Sequence, residues 1–317
     1  MITYLDFEKP VAELEAKIAE LEAVAAKGEG PSIDDELARL KDKSARQLNE
    51  LYSGLSAWRK TQVARHPQRP HFVDYRDGLF SDYVELSGDR VFGNDKAILG
   101  GLASFNDRSV LVMGHEKGAD TDGRLRHNFG MAHPEGYRKT QRLMEMADRF
   151  GLPVITFVDT AGAYPGKAGE ERGQAEAIAR SIEVTLGLGV PVISLIIGEG
   201  GSGGAIAIAG GNKVLMMEHS IYSVISPEGC ASILWHDAAR APDAAEAMRI
   251  SAQDLKRLGV IDAIVTEPVG GAHRDPKAAI QEAGLAIERQ LAVLETMTSQ
   301  ELRTQRRERF YEIGRNL

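Results

Sequence analysis

The sequence holds one cysteine, Cys230, in 317 residues. No disulfide can form within the chain and no cluster of thiolates can hold zinc, which points away from an oxidising compartment. Long apolar runs are missing too. The best candidates, PVITFV (153–158) and PVISLIIG (191–198), are strand-length and fall short of the roughly 18–20 residues that cross a bilayer. Positive charge is not in excess, because 46 acidic against 38 basic side chains leave a net charge of -8. Such a chain has no global field to hold nucleic acid or an anionic membrane, which makes both unexpected as partners. The opening MITYLDFEKP lacks the basic and apolar regions of a secretion signal. A cytoplasmic protein is expected.

Periodicity divides what is present. Val11, Leu14, Ile18, Leu21 and Ala25 recur at spacings of three and four; after KGEGPS the pattern resumes at Ile33, Leu37, Leu40, Leu48, Leu51, Leu55 and Trp58, with Ser44 as a polar gap. An antiparallel helical hairpin over 1–65 is expected, with one apolar stripe per arm and a solvated charged surface elsewhere. The proline-bearing ARHPQRPHFVDY (64–75) marks a boundary. Over 66–296, β-rich runs (AILGGLASF, SVLVMGHEKG, PVITFVDT, PVISLIIGEG, KVLMME, AIVTEP) are separated by helical stretches near 135–150, 170–187, 203–210, 242–258 and 276–296. That order predicts an α/β domain with a mostly parallel sheet. A charged helical tail, SQELRTQRRERFYEIGRN, closes the chain over 297–317.

Two strands run into glycine turns, PVITFVDTAGAYPG and PVISLIIGEGGSGG, placing both turns at strand C-terminal ends, where α/β ligand sites lie. The second turn satisfies G-x-G-x-x-G (198–203) and G-x-S-x-G (200–204) together. A dinucleotide site would use Glu218, 20 positions after Gly198, but the helix that follows is short for a Rossmann unit. A serine hydrolase would need an acid and then a histidine after Ser202; Asp262 and His273 come in that order, yet Asp262 begins its strand instead of ending it. A tight packing turn is a third reading. The fourth is an oxyanion site, in which backbone N–H groups at a helix start face a developing anion and glycine leaves the approach open.

Longer runs carry a resemblance. RHNFGMAHPEGYRK (126–139), FVDTAGAYPGKAGEERGQAEAIA (157–179), IGEGGSGGAIAIAGGNKV (197–214) and YSVISPEGCASILW (222–235), with LDFEKPVAELEAKI, ARHPQRP and EPVGGAHRDP, resemble the alpha subunit of bacterial acetyl-CoA carboxylase carboxyltransferase. One departure is Ala161, where the family usually has proline.

The resemblance implies a crotonase (ClpP/crotonase-like) fold and transfer of a carboxyl group from carboxybiotin to acetyl-CoA, giving malonyl-CoA for fatty acid synthesis. It implies an alpha2beta2 heterotetramer whose beta subunit brings a zinc ribbon, a separate biotin carboxyl carrier protein, and a separate biotin carboxylase that uses ATP. Gly203 and Gly204 take the role of the biotin oxyanion hole; Gly162, Ala163, Gly200 and Gly201 are expected to line substrate. No side-chain base is required, since the biotin ureido nitrogen can accept the proton. A crotonase-type hydratase, a carboxyltransferase for another acyl-CoA, and a noncatalytic interaction subunit remain the alternatives. Arg138, Lys139 and Arg142 are candidates for an anionic partner or CoA phosphate, with a solvated helix face as the plainer reading. His115, His127 and His133 lack metal-ligand spacing, and Ser226, Glu228 and Cys230 are expected to shape a loop near the site.

Overall fold

The computed structural model describes residues 3–26 and 34–315. Helices α1 (Lys9–Ala25) and α2 (Asp34–Ser53) form the hairpin, and the expected bend KGEGPS with Ile33 lies outside the described residues. Tyr52 meets Glu8 at one end (2.9 Å) and Lys41 meets Glu22 at the other (2.6 Å), so the arms are antiparallel. Val11, Ile18, Leu48 and Leu55 are buried as the stripe requires, and the gap residue Ser44 is buried with them. Ala25 is exposed. The charged surface is not uniformly solvated: Glu8 and Glu15 take Arg274 of the main body at 3.4 and 2.8 Å, and Tyr52 lies edge-on to His219.

Then follow α3 (Ala57–Ala64), α4 (Phe72–Leu79), β1 (Ser81–Glu85), β2 (Ile98–Phe105), β3 (Arg108–His115), α5 (Thr121–Arg126), α6 (Pro134–Phe150) and β4 (Val154–Thr160). The second half runs α7 (Lys167–Glu171), α8 (Gln174–Gly187), β5 (Val192–Gly201), α9 (Ser202–Ile206), β6 (Lys213–Met217) and β7 (Ile221–Ser223). It closes with α10 (Pro227–Trp235), α11 (Ala241–Met248), α12 (Ala252–Arg257), β8 (Ala263–Val265), α13 (Pro276–Leu294) and α14 (Ser299–Glu312).

The sheet order is β1-β2-β3-β4-β5-β6-β8, with β7 paired to the end of β5. From β3 onward the pairings are parallel; β1, β2 and β3 are antiparallel, because the two-residue turn Asn106–Asp107 joins β2 to β3 directly. β4 and β5 are buried on both faces, which is why they read as continuous apolar runs. Val154, Val158, Val192 and Ile196 enter one core layer, which also holds Leu143 and Met144 of α6 and Val184 of α8. Ile155, Phe157, Ile193 and Leu195 enter the other, with Phe72 of α4 and Ile287 of α13.

Three helices differ from expectation. The stretch 170–187 breaks at Gly173 (φ 79°), and 242–258 breaks at Arg249 (φ 52°), after which Ser251 caps α12. Helix α9 ends at Ile206, short of the expected 210. The charged tail is less exposed than its composition suggests, since Arg306 of α14 is fully buried. No helix is long and apolar enough to cross a membrane among the described residues.

Candidate active site

The site begins where β4 and β5 end. The strands pair in steady register to Val158 and Ile196, then shift so that Thr160 faces Gly200. Asp159 sits at the shift, and its carboxylate accepts the Glu199 N–H at 2.9 Å. Burial alone would raise the Asp159 pKa, but Lys117 at 2.7 Å, His71 and the Glu199 N–H outweigh it and hold the group far below the usual carboxylate range. Glu199 in turn binds Arg65 at 2.5 Å, and Arg65 reaches Glu228 of α10 at 2.7 Å. Burial opposes the Arg65 charge, yet the two carboxylates raise its pKa overall. Ser226 caps α10 by accepting the Gly229 N–H at 3.1 Å. The sequence SPEGC is therefore a helix start tied through Arg65 to β5, and Cys230 lies half-buried one position further on.

Beyond this network the two glycine turns touch. A Cβ on Gly204 would stand 2.6 Å from the Ala163 nitrogen and 2.7 Å from the Gly162 carbonyl carbon, and one on Gly201 would overlap the Ala161 carbonyl. These are backbone atoms that cannot swing aside, so the spacing of the turns excludes side chains at both positions. Gly203 has room, with Ile178 no closer than 3.5 Å. Gly200 lies in β5, opposite Thr160 and Tyr222. The structure thus brings Gly162, Ala163, Gly201 and Gly204 into one junction, with Gly200 and Gly203 flanking it. Thr160 braces the first turn: its hydroxyl accepts the Gly162 N–H (3.0 Å) and donates to the Gly162 carbonyl (2.7 Å).

The N–H groups of Gly203 and Gly204 belong to the first turn of α9, where the helix itself supplies no acceptor. Beside Gly203 opens a cleft of about 700 Å³ whose walls include Ser202, Gly203, Ile206, Tyr222, Val224 and Phe310, while Gly204 is buried behind it. No carboxylate lines it among the described residues. Burial pushes the Tyr222 phenol up to about 12, so it stays protonated. Donors fixed at a helix start beside an apolar cleft can hold an oxyanion.

The hydrolase and dinucleotide readings find no support in the geometry. Ser202 has a left-handed backbone (φ 54°) and an exposed side chain. Asp262 pairs with Arg309 at 2.8 Å, and His273 stacks on His66. Glu218 accepts the Glu267 N–H, while Glu199 is occupied by Arg65. Ser202→Gly, which suits the positive φ, is expected to leave transfer activity within a few-fold of wild type, whereas a serine nucleophile would be lost outright; a steady-state assay separates the two.

Arg138, Lys139 and Arg142 are neither a solvated face nor free cations. Arg138 pairs with Asp89 at 2.9 Å, Arg142 donates to the Leu86 carbonyl at 2.8 Å, and the buried Lys139 donates to Asn94 Oδ1 and the Asp95 carbonyl. Burial lowers Lys139 to about 8. All three clamp the 86–95 loop onto α6. His115 is buried, His127 contacts the Lys96 carbonyl, and His133 binds Asp95 at 2.9 Å and stacks on Tyr164. Sequence reasoning missed Asp159, Arg65, Thr160 and Tyr222; only an acid at a strand end, in DTAG, was a usable signal.

Residues 4–314 match the family model described as acetyl co-enzyme A carboxylase carboxyltransferase-like. The chain is 65% identical over 317 residues to the acetyl-coenzyme A carboxylase carboxyl transferase subunit alpha of Methylobacterium sp. (strain 4-46), covering all of both chains. It is 62% identical over 312 residues to that of Caulobacter vibrioides (strain NA1000 / CB15N), covering 98% of each. Among solved structures, transcarboxylase 12S superposes with a TM-score of 0.56 at 18% identity, over 69% of this chain and 41% of that one. A single-chain, multi-domain long-chain acyl-CoA carboxylase gives 0.56 at 19% identity, over 73% and 23%. At such identities the likeness shows the fold, which is the crotonase type.

Proposed function

The chain belongs to the acetyl-CoA carboxylase carboxyltransferase family, and from that premise we propose that it is the alpha subunit of a two-part transferase making malonyl-CoA for fatty acid synthesis. Carboxybiotin, on a biotin carboxyl carrier protein charged by a separate ATP-dependent biotin carboxylase, supplies the carboxyl group, a ureido oxygen that gathers negative charge, and a nitrogen able to take the proton of acetyl-CoA. The apolar cleft suits a compact ring on an aliphatic arm, and the donors at the helix start beside it suit that oxygen. This pairing of helix-start N–H groups with an apolar cleft carries the reading.

This chain's part is positioning. The N–H groups of Gly203 and Gly204 are fixed before the anion forms, so they need no reorganisation when it does, and each such donor is worth on the order of 2.7–4 kcal/mol of barrier. Gly162 and Ala163 form the opposing wall and hold Gly204 in place. The Lys117–Asp159 and Arg65–Glu199 pairs fix the strand ends on which both turns stand. Exclusion of water by the apolar walls strengthens the donors.

A beta subunit in an alpha2beta2 assembly, bringing the zinc ribbon and most of the acetyl-CoA site, completes the reading; the designation of the relatives as alpha subunits supports it. The assembly would work in the cytoplasm. Co-expression with a beta subunit from the same genome, followed by assay of acetyl-CoA carboxylation from the carboxylated carrier, tests it. Activity should need both chains. Full activity from this chain alone, or none with any beta subunit, would overturn the proposal.

A further inference from the structure

Tyr137 lies in the first turns of α6 with its side chain fully buried, in the core layer that also holds Ala132, Ala177 and Ala205. Its hydroxyl has no hydrogen-bond partner among the described residues. The other buried hydroxyls nearby are all used: Thr140 bonds Ser181, Ser181 donates to the Ala207 carbonyl, and Thr156 bonds Ser194 and the Ile208 carbonyl. A phenylalanine would fill the same space without burying an unpaired polar group, which normally lowers stability. Tyrosine at this place therefore asks for a use.

Location supplies one. The hydroxyl oxygen stands 2.9 Å from the point a Cβ on Gly204 would occupy, the same point that lies 2.6 Å from the Ala163 nitrogen and 2.7 Å from the Gly162 carbonyl carbon. Phenol, Gly204 and the 162–163 turn meet there. We propose that Tyr137 is a positioning residue for carboxyl transfer, its hydroxyl engaging the turn backbone as the anion forms and fixing the direction of the Gly204 N–H. The inference rests on the functional reading above. Burial, with Asp95 nearby, keeps the phenol protonated throughout the working range, so it serves as a donor and adds no titration of its own.

Tyr137→Phe in the reconstituted alpha–beta enzyme tests this. The expected result is a kcat about tenfold lower, the loss of one hydrogen bond, with KM for acetyl-CoA and the pH profile unchanged and the melting temperature equal or higher. An unchanged kcat overturns the inference. So does a kcat loss accompanied by a lower melting temperature or failed assembly, which is what a packing role would give. A wild-type complex without transfer activity overturns the functional reading and this inference with it, whereas an active wild type beside an equally active Tyr137→Phe removes the inference alone.

Discussion

Gly204→Ala should lower malonyl-CoA formation by roughly 10²–10³-fold, the usual effect of losing one oxyanion donor, in an enzyme that still assembles. The added methyl would meet two backbone atoms of the opposing turn at 2.6 and 2.7 Å. Neither can rotate away, so the turns must part and the Gly204 N–H must tilt. Overpacking of this size costs about 1–3 kcal/mol, tolerable for a chain with two extensive core layers, and the damage falls on the geometry of the site. Gly187→Ala is the control: nothing lies within 4 Å of its Cβ, so activity should be retained. Circular dichroism and size exclusion establish folding and assembly, and single-turnover transfer reads the chemistry. A Gly204→Ala enzyme close to wild type would remove the amide from the mechanism and show that the two turns are not rigidly spaced.

Arg306→Leu should be the most destabilising single change outside the site, by on the order of 3–5 kcal/mol. The guanidinium is fully buried and donates to the carbonyls of Thr185 (3.0 Å), Leu188 (2.7 Å) and Val190 (2.8 Å) and to Asn212 Oδ1 (2.6 Å). Its partners among the described residues are carbonyl oxygens, and burial lowers its pKa to about 10. The cation is held by carbonyl dipoles where α8 ends, and leucine would strip the Leu188 and Val190 carbonyls of their donor, while Thr185 and Asn212 would keep only the Leu188 and Val192 N–H groups. A fall in melting temperature of roughly 10 °C is expected, together with loss of transfer, because Arg309, Phe310 and Ile313 of the same chain end line the cleft. Arg306→Lys, a compact charge without the planar fork, should recover only part of the stability. If Arg306→Leu melts with wild type, the tail is not anchored by this residue.

Local patterns made much of the architecture legible. The buried strands β4 and β5 announce themselves as PVITFV and PVISLIIG because a parallel strand covered on both faces has no polar side to show. The helix expected over 276–296 begins at Pro276 with Asp275 as its cap, whereas α10 was not legible, because SPEGC is expected to shape a loop and is instead a helix start. Breaks at Gly173 and Arg249 were less visible, since a single left-handed residue interrupts a helix without disturbing its apolar spacing. The antiparallel start of the sheet hid for another reason. Alternation gives strands and not their direction, and only the two-residue turn at Asn106–Asp107 hinted at a hairpin.

Charge was the least legible property. Arg138, Lys139, Arg142 and Arg306 all fall in polar helical stretches that composition assigns to solvent, yet each is consumed by carbonyls or carboxylates from segments tens of residues away. Long-range pairing leaves no trace in spacing.

By itself, the sequence determined that two strands run into glycine turns, that a single cysteine can form no thiolate cluster, that no apolar run is long enough for a membrane-spanning helix, and, through its long motifs, which family it belongs to. These follow from residue type and local periodicity, which act over a few positions. Only the tertiary structure decided that the turns press together at Gly204, that Asp262 and His273 are engaged away from Ser202, that Thr160 braces the first turn, and that Tyr137 brings to the junction a hydroxyl unpaired among the described residues. Those outcomes depend on contacts between residues tens of positions apart, and close packing fixes such contacts to a few tenths of an ångström, a scale that no local pattern encodes.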